Sequence, residues 1–575
     1  MTGTPCAKPP LEALVRKGQA RRYLIHSMCV TLTALALTGC TRDRYLRSAN
    51  KEVASVIAEK TPAVANMDPD FTIQQGPPPT LASLPINQQR PDFLGEVSEK
   101  EFGAGIITLE KALQLGVRHN RQYQSTKENL YLQALSLTLA RYRYTPIFHL
   151  GGTPTYSENQ IEITENGIDR LTTERVISGG GSFGVDKLMR TGGRIAVDFT
   201  TDFIRFVSND SSWLTSSALA ATVTQPLLRG AGYRVAMESL TQAERDLLYE
   251  LRDFTRFRKE FSVDIVSFYF QVLQSRDQVR NAWRGYQSLQ VSYQRERAKA
   301  EEGKSRSSEV SRLEESVLSS QQGWINSVRN YQQALDRFKI DLGLPTDSHV
   351  ILDDTELDQL TIDHPKISVA DAVKIALIAR LDLINVADQF EDTGRKVEVA
   401  ANDLQADLDL ILSAGVNSRQ GPGYVLPDWE RYHWSAGVNV DLPFDRKAER
   451  NAFRGWLISH ERARRNLALA VDNIKLEIQD GWRNLDRSKN DFEISEIRVD
   501  LSKRRVEEEE IKSELGRGLA LDLVDAQNAL VNSHNEHTNA LVNHTVARLG
   551  FWRDMGILYI KKNGRWDELD YEIYN

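Results

Sequence analysis

Cysteine is scarce in this sequence and confined to one end. The chain has three cysteines, Cys6, Cys29 and Cys40, and all of them lie within the first 40 residues. Beyond that point the sequence can supply no disulfide bond, thiolate metal site or cysteine nucleophile. These classes of chemistry are therefore excluded for the body of the chain.

Long apolar runs and an excess of positive charge are also missing. Hydrophobic residues make up 41% of the chain, but no run of 18 or more is purely apolar, so no membrane-spanning helix is predicted. The 72 basic residues are outnumbered by 79 acidic ones, which gives a net charge of -7. Nucleic acid is not expected as a partner, because binding along a phosphate backbone needs a basic surface.

The first 39 residues have the pattern of a secretory signal peptide. A short apolar stretch, 28–37, follows four positive residues, which are Arg16, Lys17, Arg21 and Arg22. The stretch ends in Leu37-Thr38-Gly39-Cys40, which is similar to the lipobox of bacterial lipoproteins. We expect Cys40 to be acylated as the mature N-terminus, and Thr41 is not the aspartate associated with retention in the inner membrane. The alternative is a chance cysteine after an ordinary signal.

Two halves of the chain repeat the same pattern. Thr108 and Ser368 each stand at an N-cap position before an apolar periodic run. The ends of the two halves also match, because equivalent residues are always 213 positions apart (516 - 303 = 213). The matching pairs are Gly303 and Gly516, Glu309 and Asp522, Val310 and Leu523, and Gly343 and Gly556. A match that holds its register over this length indicates a duplicated unit of helix, strands, long helix, turn and helix.

The repeat divides the chain into predicted segments. The signal peptide, 1–39, is followed by a lipidated polar linker, 40–105, which contains a proline cluster at 77–79. The two repeats are then separated by a short linker and followed by a tail; the bounds are 106–346 for the first repeat, 347–366 for the linker, 367–558 for the second repeat and 559–575 for the tail.

A heptad seam predicts long coiled-coil helices. Apolar residues recur at alternating steps of three and four from Leu247 to Leu289, and only Arg258 and Ser275 interrupt that lattice. Residues 232–302 as one helix would be roughly 105 Å long at 1.5 Å per residue. That length is typical of a tunnel and not of a globular core.

Between the helices the apolar period changes to two, which predicts strands. Trp434, Ala436, Val438, Val440 and Leu442 share one face, and the polar or small residues between them share the other. The same alternation occurs in 408–416, 195–200 and 219–224. It suits a transmembrane barrel with an aqueous lumen, although a soluble sheet on a core would give the same pattern. An aromatic girdle could be formed by Trp213, Trp429, Tyr432 and Trp434.

The sequence resembles the TolC-like outer membrane efflux family over about 107–558. The resemblance depends first on the same opening in both halves, Ile107-Thr108 and Ile367-Ser368. It depends also on two segments where strands lead into long helices, Gln225-Pro226-Leu227-Leu228-Arg229-Gly230 and Leu442-Pro443-Phe444-Asp445, and on the helix-turn-helix signature 516–526. It implies an α+β membrane protein: a trimeric transmembrane β-barrel continued by a long α-helical coiled-coil periplasmic tunnel, with an internal two-fold repeat. It also implies four strands from each protomer, and docking through a periplasmic adaptor onto an inner-membrane pump.

The first half departs from the family pattern. About four strand-like stretches lie between Ile147 and Pro226, where two are expected. An outward-projecting hairpin is the simplest explanation, and a larger barrel is the alternative.

The resemblance also implies a periplasmic aperture lined by aspartates. Asp522 and Asp525 occupy the matching positions, and three protomers would bring six carboxylates to the axis, which favours cations. The alternative is that two acids at a helix start favour its dipole. Glu309 and Arg312 are the equivalents in the first half. Gly518 stands where the family has a latch arginine, with Arg517 beside it.

Other candidate sites have simpler interpretations. The glycine-rich run 179–184 lacks the Gly-Lys-Ser/Thr ending of a phosphate loop, so we interpret it as a flexible barrel loop. His534, His537 and His544 have poor spacing for a shared metal. Neither a catalytic arrangement nor a cofactor or metal site is predicted.

The sequence thus predicts a lipid-anchored outer-membrane channel subunit. The chain would extend into the periplasm and passively conduct substrates from a pump and adaptor, in an efflux or type I secretion system. It would form homotrimers and contact outer-membrane lipid. The alternative is a periplasmic adaptor or coiled-coil scaffold lipoprotein, although an adaptor would carry one helical hairpin and not two.

Overall fold

The structure is a computed structural model. It describes residues 42–68, 71–74, 81, 83–165, 168–206, 213–419, 421, 425–442, 444–515 and 517–568. Cys40, the predicted signal peptide and the proline cluster at 77–79 lie outside the described residues. The chain divides into two compact units, and the first ends at Lys60. Its described part is one helix, α1 (Arg42–Lys60), which lies within the segment predicted as a linker.

Helices dominate the second unit, which begins at Thr61. They are α2 (Val97–Glu101), α3 (Leu109–His119), α4 (Arg121–Tyr142), α5 (Tyr233–Ala236), α6 (Glu238–Glu301), α7 (Ser307–Asp341), α8 (Thr355–Asp358), α9 (Val369–Ala379), α10 (Leu381–Asn402), α11 (Lys447–Glu514) and α12 (Ala520–Asp554). Short 3-10 turns occupy Thr61–Ala63 and Asp92–Leu94.

Among the described residues, the strands form one large sheet and two small pairs. They are β1 (Gly105–Ile107), β2 (Ile147–Glu165), β3 (Ile168–Leu188), β4 (Arg194–Phe206), β5 (Trp213–Pro226), β6 (Val350–Leu352), β7 (Asp407–Asn417), β8 (Tyr432–Asp441), β9 (Leu558–Ile560) and β10 (Trp566–Glu568). The large sheet has six strands in the order β2-β3-β4-β5-β7-β8, and every neighbouring pair in it is antiparallel.

The strand pattern that the sequence predicted is confirmed in the sheet. Leu408 pairs with Val440 and Ala414 with Trp434, so the two apolar faces lie on the same side. Val197 pairs with Ala221 in the same way in the first half. Because side chains alternate between the two faces of a strand, this register puts the apolar residues of both halves on one face.

The sheet has six strands, whereas the resemblance implied four from each protomer. The surplus strands are not a separate hairpin, because β3 pairs with β4 from Val176 to Leu188. Only the distal part of the β2–β3 pair, about 158–175, extends beyond the end of β4. The expectation of an outward-projecting hairpin is therefore wrong for most of its length.

The glycine-rich run 179–184 is also not a loop. It lies inside β3 and is paired on both sides, since Gly180 faces Thr153 of β2 and Asp202 of β4. A Cβ on Gly184 would overlap the side chains of His149 and Asp198, which cross the strand there. Glycine therefore gives room to side chains of the neighbouring strands.

Four helices recur in the same order in the two halves, with equal or similar lengths. A helix of 11 residues precedes one of 22 in both halves, and N-caps on the 11-residue helices are confirmed. The Thr108 side chain accepts a hydrogen bond from the Lys111 amide, and the Ser368 side chain accepts one from the Asp371 amide. After the strands come helices of 64 and 68 residues, each followed by a helix of 35.

The predicted seam of α6 is confirmed at most positions. Leu247, Leu251, Ile265 and Val279 are buried, but Phe268 is 38% exposed. The helix runs from Glu238 to Glu301 after a break at Met237, close to the predicted bounds. Among the described residues, none of the helices is both long and apolar enough to cross a membrane.

The end of the predicted linker, helix α2, is packed against α6 and not extended. Arg276 of α6 is 7% exposed and binds Glu101 of α2 at 2.7 Å, Tyr331 at 2.7 Å and Asp354 at 2.9 Å. Burial of this charge is offset by its three partners. β1 pairs with β6 beside this cluster, in parallel. The predicted tail likewise starts with a strand, since β9 pairs with β10.

Candidate functional site

The candidate site lies where each long helix turns into the next. The turn between α6 and α7 uses Gly303, whose φ of 75° favours glycine. In the turn between α11 and α12, the amides of Arg517 and Gly518 both donate to the carbonyl of Lys512. A Cβ on Gly518 would lie 2.8 Å from the Ser513 nitrogen, so this turn has no room for a side chain there. Gly516 lies outside the described residues.

The two turns are held together by a small apolar cluster. Leu289 of α6, Leu313 of α7, and Ala520 and Val524 of α12 are buried against one another. The beginnings of α7 and α12, which the sequence aligned as equivalent, therefore lie close together. Burial of these side chains fixes which face of α12 remains exposed.

Asp522 and Asp525 lie on that exposed face in the first two turns of α12. Both are exposed, while Leu523 and Val524 between them are buried. A spacing of three puts both side chains on neighbouring positions of one helix face. Within the part of the chain that the structure describes, neither carboxylate has a hydrogen bond or an ion pair. The two charges are therefore available to solvent or to another molecule.

Glu309 is held differently from these two aspartates. Its Oε2 accepts a hydrogen bond from the backbone nitrogen of Ala520, at 3.2 Å, and its side chain is 18% exposed. The Arg312 guanidinium is 3.9 Å from the same carboxylate. Glu309 thus caps the N-terminus of α12, where a negative charge is favourable.

Lys299 is a residue of this region that the sequence did not single out. Its Nζ donates to the carbonyl of Ser513 at 2.7 Å and lies 3.2 Å from Glu296. It therefore joins the end of α6 to the end of α11, with a positive charge near a helix C-terminus. The only sequence signal was a lysine in the last turn of a predicted helix, which is common.

Polar side chains join the long helices above the turns. Asp277 of α6 accepts a hydrogen bond from Thr538 of α12 at 2.8 Å, and Asn281 donates to Asn535 at 3.0 Å. Ser502 of α11 and Ser533 of α12 are 2.8 Å apart. These bonds set the positions of the helices along one another and hold the turns at one level.

The three histidines of α12 do not converge. His537 lies 3.2 Å from the Ser495 hydroxyl, and His544 is fully buried beside His364, with ring centres 6.0 Å apart. Burial and then the neighbouring His364 lower the pKa of His544 to about 4. Among the described residues, no group of three or more histidine, cysteine or acidic side chains could hold a metal ion.

The comparisons with known proteins agree with this architecture. No family model and no curated relative matches the chain. Solved structures do match it. The outer-membrane channel OprN matches with a TM-score of 0.56 and 14% sequence identity, and the match covers 85% of this chain and 98% of that chain. The Campylobacter jejuni CmeC outer membrane channel matches with a TM-score of 0.57, 13% identity, and coverage of 89% and 97%. The outer membrane protein VceC from Vibrio cholerae matches with a TM-score of 0.56 and 13% identity, and the match covers 78% of this chain and 96% of that chain.

These likenesses confirm the resemblance to TolC-like proteins at the level of the fold. The chain has the fold of outer-membrane channels and nearly spans the matched chains.

Proposed function

We propose that this chain is the outer-membrane channel subunit of a tripartite efflux or type I secretion system. Three copies form one channel, which passively conducts substrates delivered by an inner-membrane pump through a periplasmic adaptor. The protein catalyses no reaction and needs no cofactor. Cys40 anchors it to the outer membrane, and the helices extend into the periplasm.

The observation that carries the proposal is a sheet with one apolar face that leads into very long helices. On its apolar face Trp434 is 73% exposed and Val438 is 59% exposed. An apolar sheet face of this kind is unfavourable in water and suits the hydrocarbon of a membrane. After β5 the chain reaches α6 through the short helix α5, and after β8 it enters α11. These two long helices would be roughly 95 to 100 Å long at 1.5 Å per residue.

Two features support a trimer. The outer edges of β2 and β8 end the sheet, and an open edge cannot lie in lipid because its backbone groups would lack hydrogen bonds. α11 also carries a short exposed apolar stripe at heptad spacing, made of Ile494, Ile497 and Leu501. The other exposed apolar residues of the same lattice, Leu469, Leu476 and Ile511, are separated from it by charged positions such as Arg487 and Arg504. Copies of the same chain would cover both the open edges and the stripe, since a heptad stripe fits another helix.

The proposal includes the aperture and the internal duplication. Asp522 and Asp525 from three copies would surround the axis and attract cations, and Glu309 would lie next to this ring. The equal helix lengths in the two halves support an internal repeat. The presence of two long hairpins on one sheet argues against the alternative of an adaptor or scaffold lipoprotein.

Membrane fractionation and mass measurement test the proposal. The protein should sediment with the outer membrane, and its detergent-extracted form should have the mass of three chains plus bound detergent. Mass spectrometry of the mature N-terminal peptide should find Cys40 acylated. A water-soluble monomer would contradict the channel proposal, whereas an unmodified Cys40 would contradict only the lipid anchor.

A further inference from the structure

The surplus strands of the first half belong to the sheet at the same level as the other four. β2 pairs with β3 along its whole length, and β3 pairs with β4 over the same rows in which β4 pairs with β5. Val185, for example, pairs with Val197, which in turn pairs with Ala221. The hydrogen-bonded ladder therefore continues from β8 to β2 without a break.

The apolar face also continues across all six strands. The rows of β5, β7 and β8 place Leu219, Ala221, Leu412, Ala414, Trp434 and Val438 on it. The same rows place on it Val197, Phe199 and Phe203 of β4, Val185, Phe183 and Ile177 of β3, and Phe148, Leu150 and Tyr156 of β2. Leu150 is 85% exposed and Phe148 is 68% exposed, as much as the apolar residues of β8.

Beside the apolar residues of β2 and β3, the opposite face is small or polar, as it mostly is in the other strands, where Ile411 of β7 is an exception. His149 and Thr153 of β2 lie on it with Ser182 of β3 and Asp198 of β4. A cluster of polar and charged side chains crosses three strands there: the His149 ring Nε2 is 3.0 Å from Asp198 Oδ1, and the Arg194 guanidinium is 2.9 Å from the Asp186 carboxylate. Charged side chains are costly against hydrocarbon, so this face requires water.

The apolar band has the height of a membrane. On β4 it runs from Ile195 to Phe203, close to the roughly 9–11 residues that a tilted strand needs to cross the hydrocarbon. On β2 and β3 it ends where Glu158 pairs with Arg175, whose charges are 3.3 Å apart on the same face. Only the part of the hairpin beyond this ion pair lies above the band.

The strand directions allow three such sheets to close. The sheet begins with β2 and ends with β8, and because six antiparallel strands alternate, these two run in opposite directions. β8 of one copy would therefore lie antiparallel to β2 of the next. Closure of this kind leaves no edge and gives an even number of strands, as bacterial outer-membrane barrels have.

We propose that all six strands lie in the wall of the membrane barrel, so that three copies form a barrel of 18 strands with lipid hydrocarbon on its apolar face. This inference rests on the proposed trimeric channel. Because barrel diameter grows roughly linearly with strand number, the barrel would be about 1.5 times as wide as one built from four strands per copy.

Single-cysteine spin labelling of the trimer in proteoliposomes tests the inference. Cysteine is introduced in three pairs, each with one position on the apolar face and one on the opposite face of the same strand: Leu150→Cys and Thr153→Cys in β2, Phe183→Cys and Ser182→Cys in β3, and Val438→Cys and Asn439→Cys in β8. The relative access of oxygen and a water-soluble nickel chelate to each label distinguishes lipid from water. Wild-type protein treated with the same label measures any reactivity of Cys40.

We expect the labels at Leu150, Phe183 and Val438 to prefer oxygen and the labels at Thr153, Ser182 and Asn439 to prefer nickel. If Val438 prefers oxygen but Leu150 or Phe183 prefers nickel in an intact trimer, the six-strand wall is wrong and the channel proposal stands. If Val438 also prefers nickel, the membrane-spanning sheet itself is wrong, and the proposed function fails with it.

Discussion

The carboxylate of Glu309 lies 3.2 Å from the backbone nitrogen of Ala520 and caps a helix of the other half of the chain. Leu519, the residue before α12, has no polar side-chain atom to do this. The N-terminus of α12 therefore depends on a residue of α7. This contact joins the start of α7 to the start of α12, from which Asp522 and Asp525 project.

Replacement of Glu309 should loosen the start of α12. Glu309→Ala removes the acceptor, and loss of a cap costs about 0.5–2 kcal/mol. This loss of free energy corresponds to a factor of about 2 to 30 in an equilibrium constant, so hydrogen exchange of the first-turn amides of α12 should be faster by about that factor. Arg312→Ala is the control, because Arg312 does not bond to the helix. Equal exchange in Glu309→Ala and wild type would show that the cap is unimportant.

The exposed stripe of α11 should hold the protomers together. Ile497→Glu puts a charge on the stripe, and a buried unpaired carboxylate in a subunit contact is strongly unfavourable. We expect the detergent-extracted protein to have the mass of one chain. Glu496→Gln is the control on the neighbouring position. A stable trimer of Ile497→Glu would place the subunit contact elsewhere.

His544 should make the protein less stable in mild acid. Its folded pKa, lowered to about 4 by burial and by His364, lies below the usual value of 6.5, so the neutral form is favoured in the folded state. The contribution of neutral His544 to the free energy of unfolding is therefore complete above about pH 6.5 and is lost as the pH falls towards 4.

The test compares His544→Leu with the wild type and with His537→Leu. Neither ring nitrogen of His544 has a hydrogen-bond partner in the described structure, so leucine removes no bond. The unfolding temperature of His544→Leu should fall less between pH 7.5 and pH 5 than that of the wild type or of His537→Leu. Equal falls in all three would contradict the prediction.

Local patterns allowed much of this fold to be predicted. The alternation in 408–416 and 434–442 gave the correct faces because each strand carries its own period of two. Thr108 and Ser368 gave the correct helix starts because a cap depends only on nearby residues. The heptad seam likewise gave α6 to within a few residues.

Long-range contacts decided what could not be predicted. The glycines at 179–184 predicted a loop because glycine is common in loops. They lie in a strand because side chains of the neighbouring strands β2 and β4 occupy the space above them. Glu101 was placed in a linker because its ion pair with Arg276 is formed between residues far apart in the sequence, and no local pattern predicts it. The capping role of Glu309 depends in the same way on Ala520, far along the chain.

Asp522 and Asp525 should give the channel its cation preference. Replacement of both with asparagine keeps their size and removes six charges from the proposed ring. Multivalent cations added from the periplasmic side should then block less, and cation selectivity should fall, because unscreened like charges gather counterions. Asp500→Asn together with Asp491→Asn, two exposed acids of α11, is the matched control. Unchanged block and selectivity in an intact trimer would make the two acids ordinary helix-start residues.

Single-channel recording in planar bilayers tests the central claim most directly. The purified trimer should insert and give discrete conductance steps with a preference for cations, and trivalent cations on the periplasmic side should reduce them. The steps should occur without nucleotide or any other energy source, because conduction is passive. An intact trimer that inserts into the bilayer and gives no conductance under any applied voltage would contradict the account.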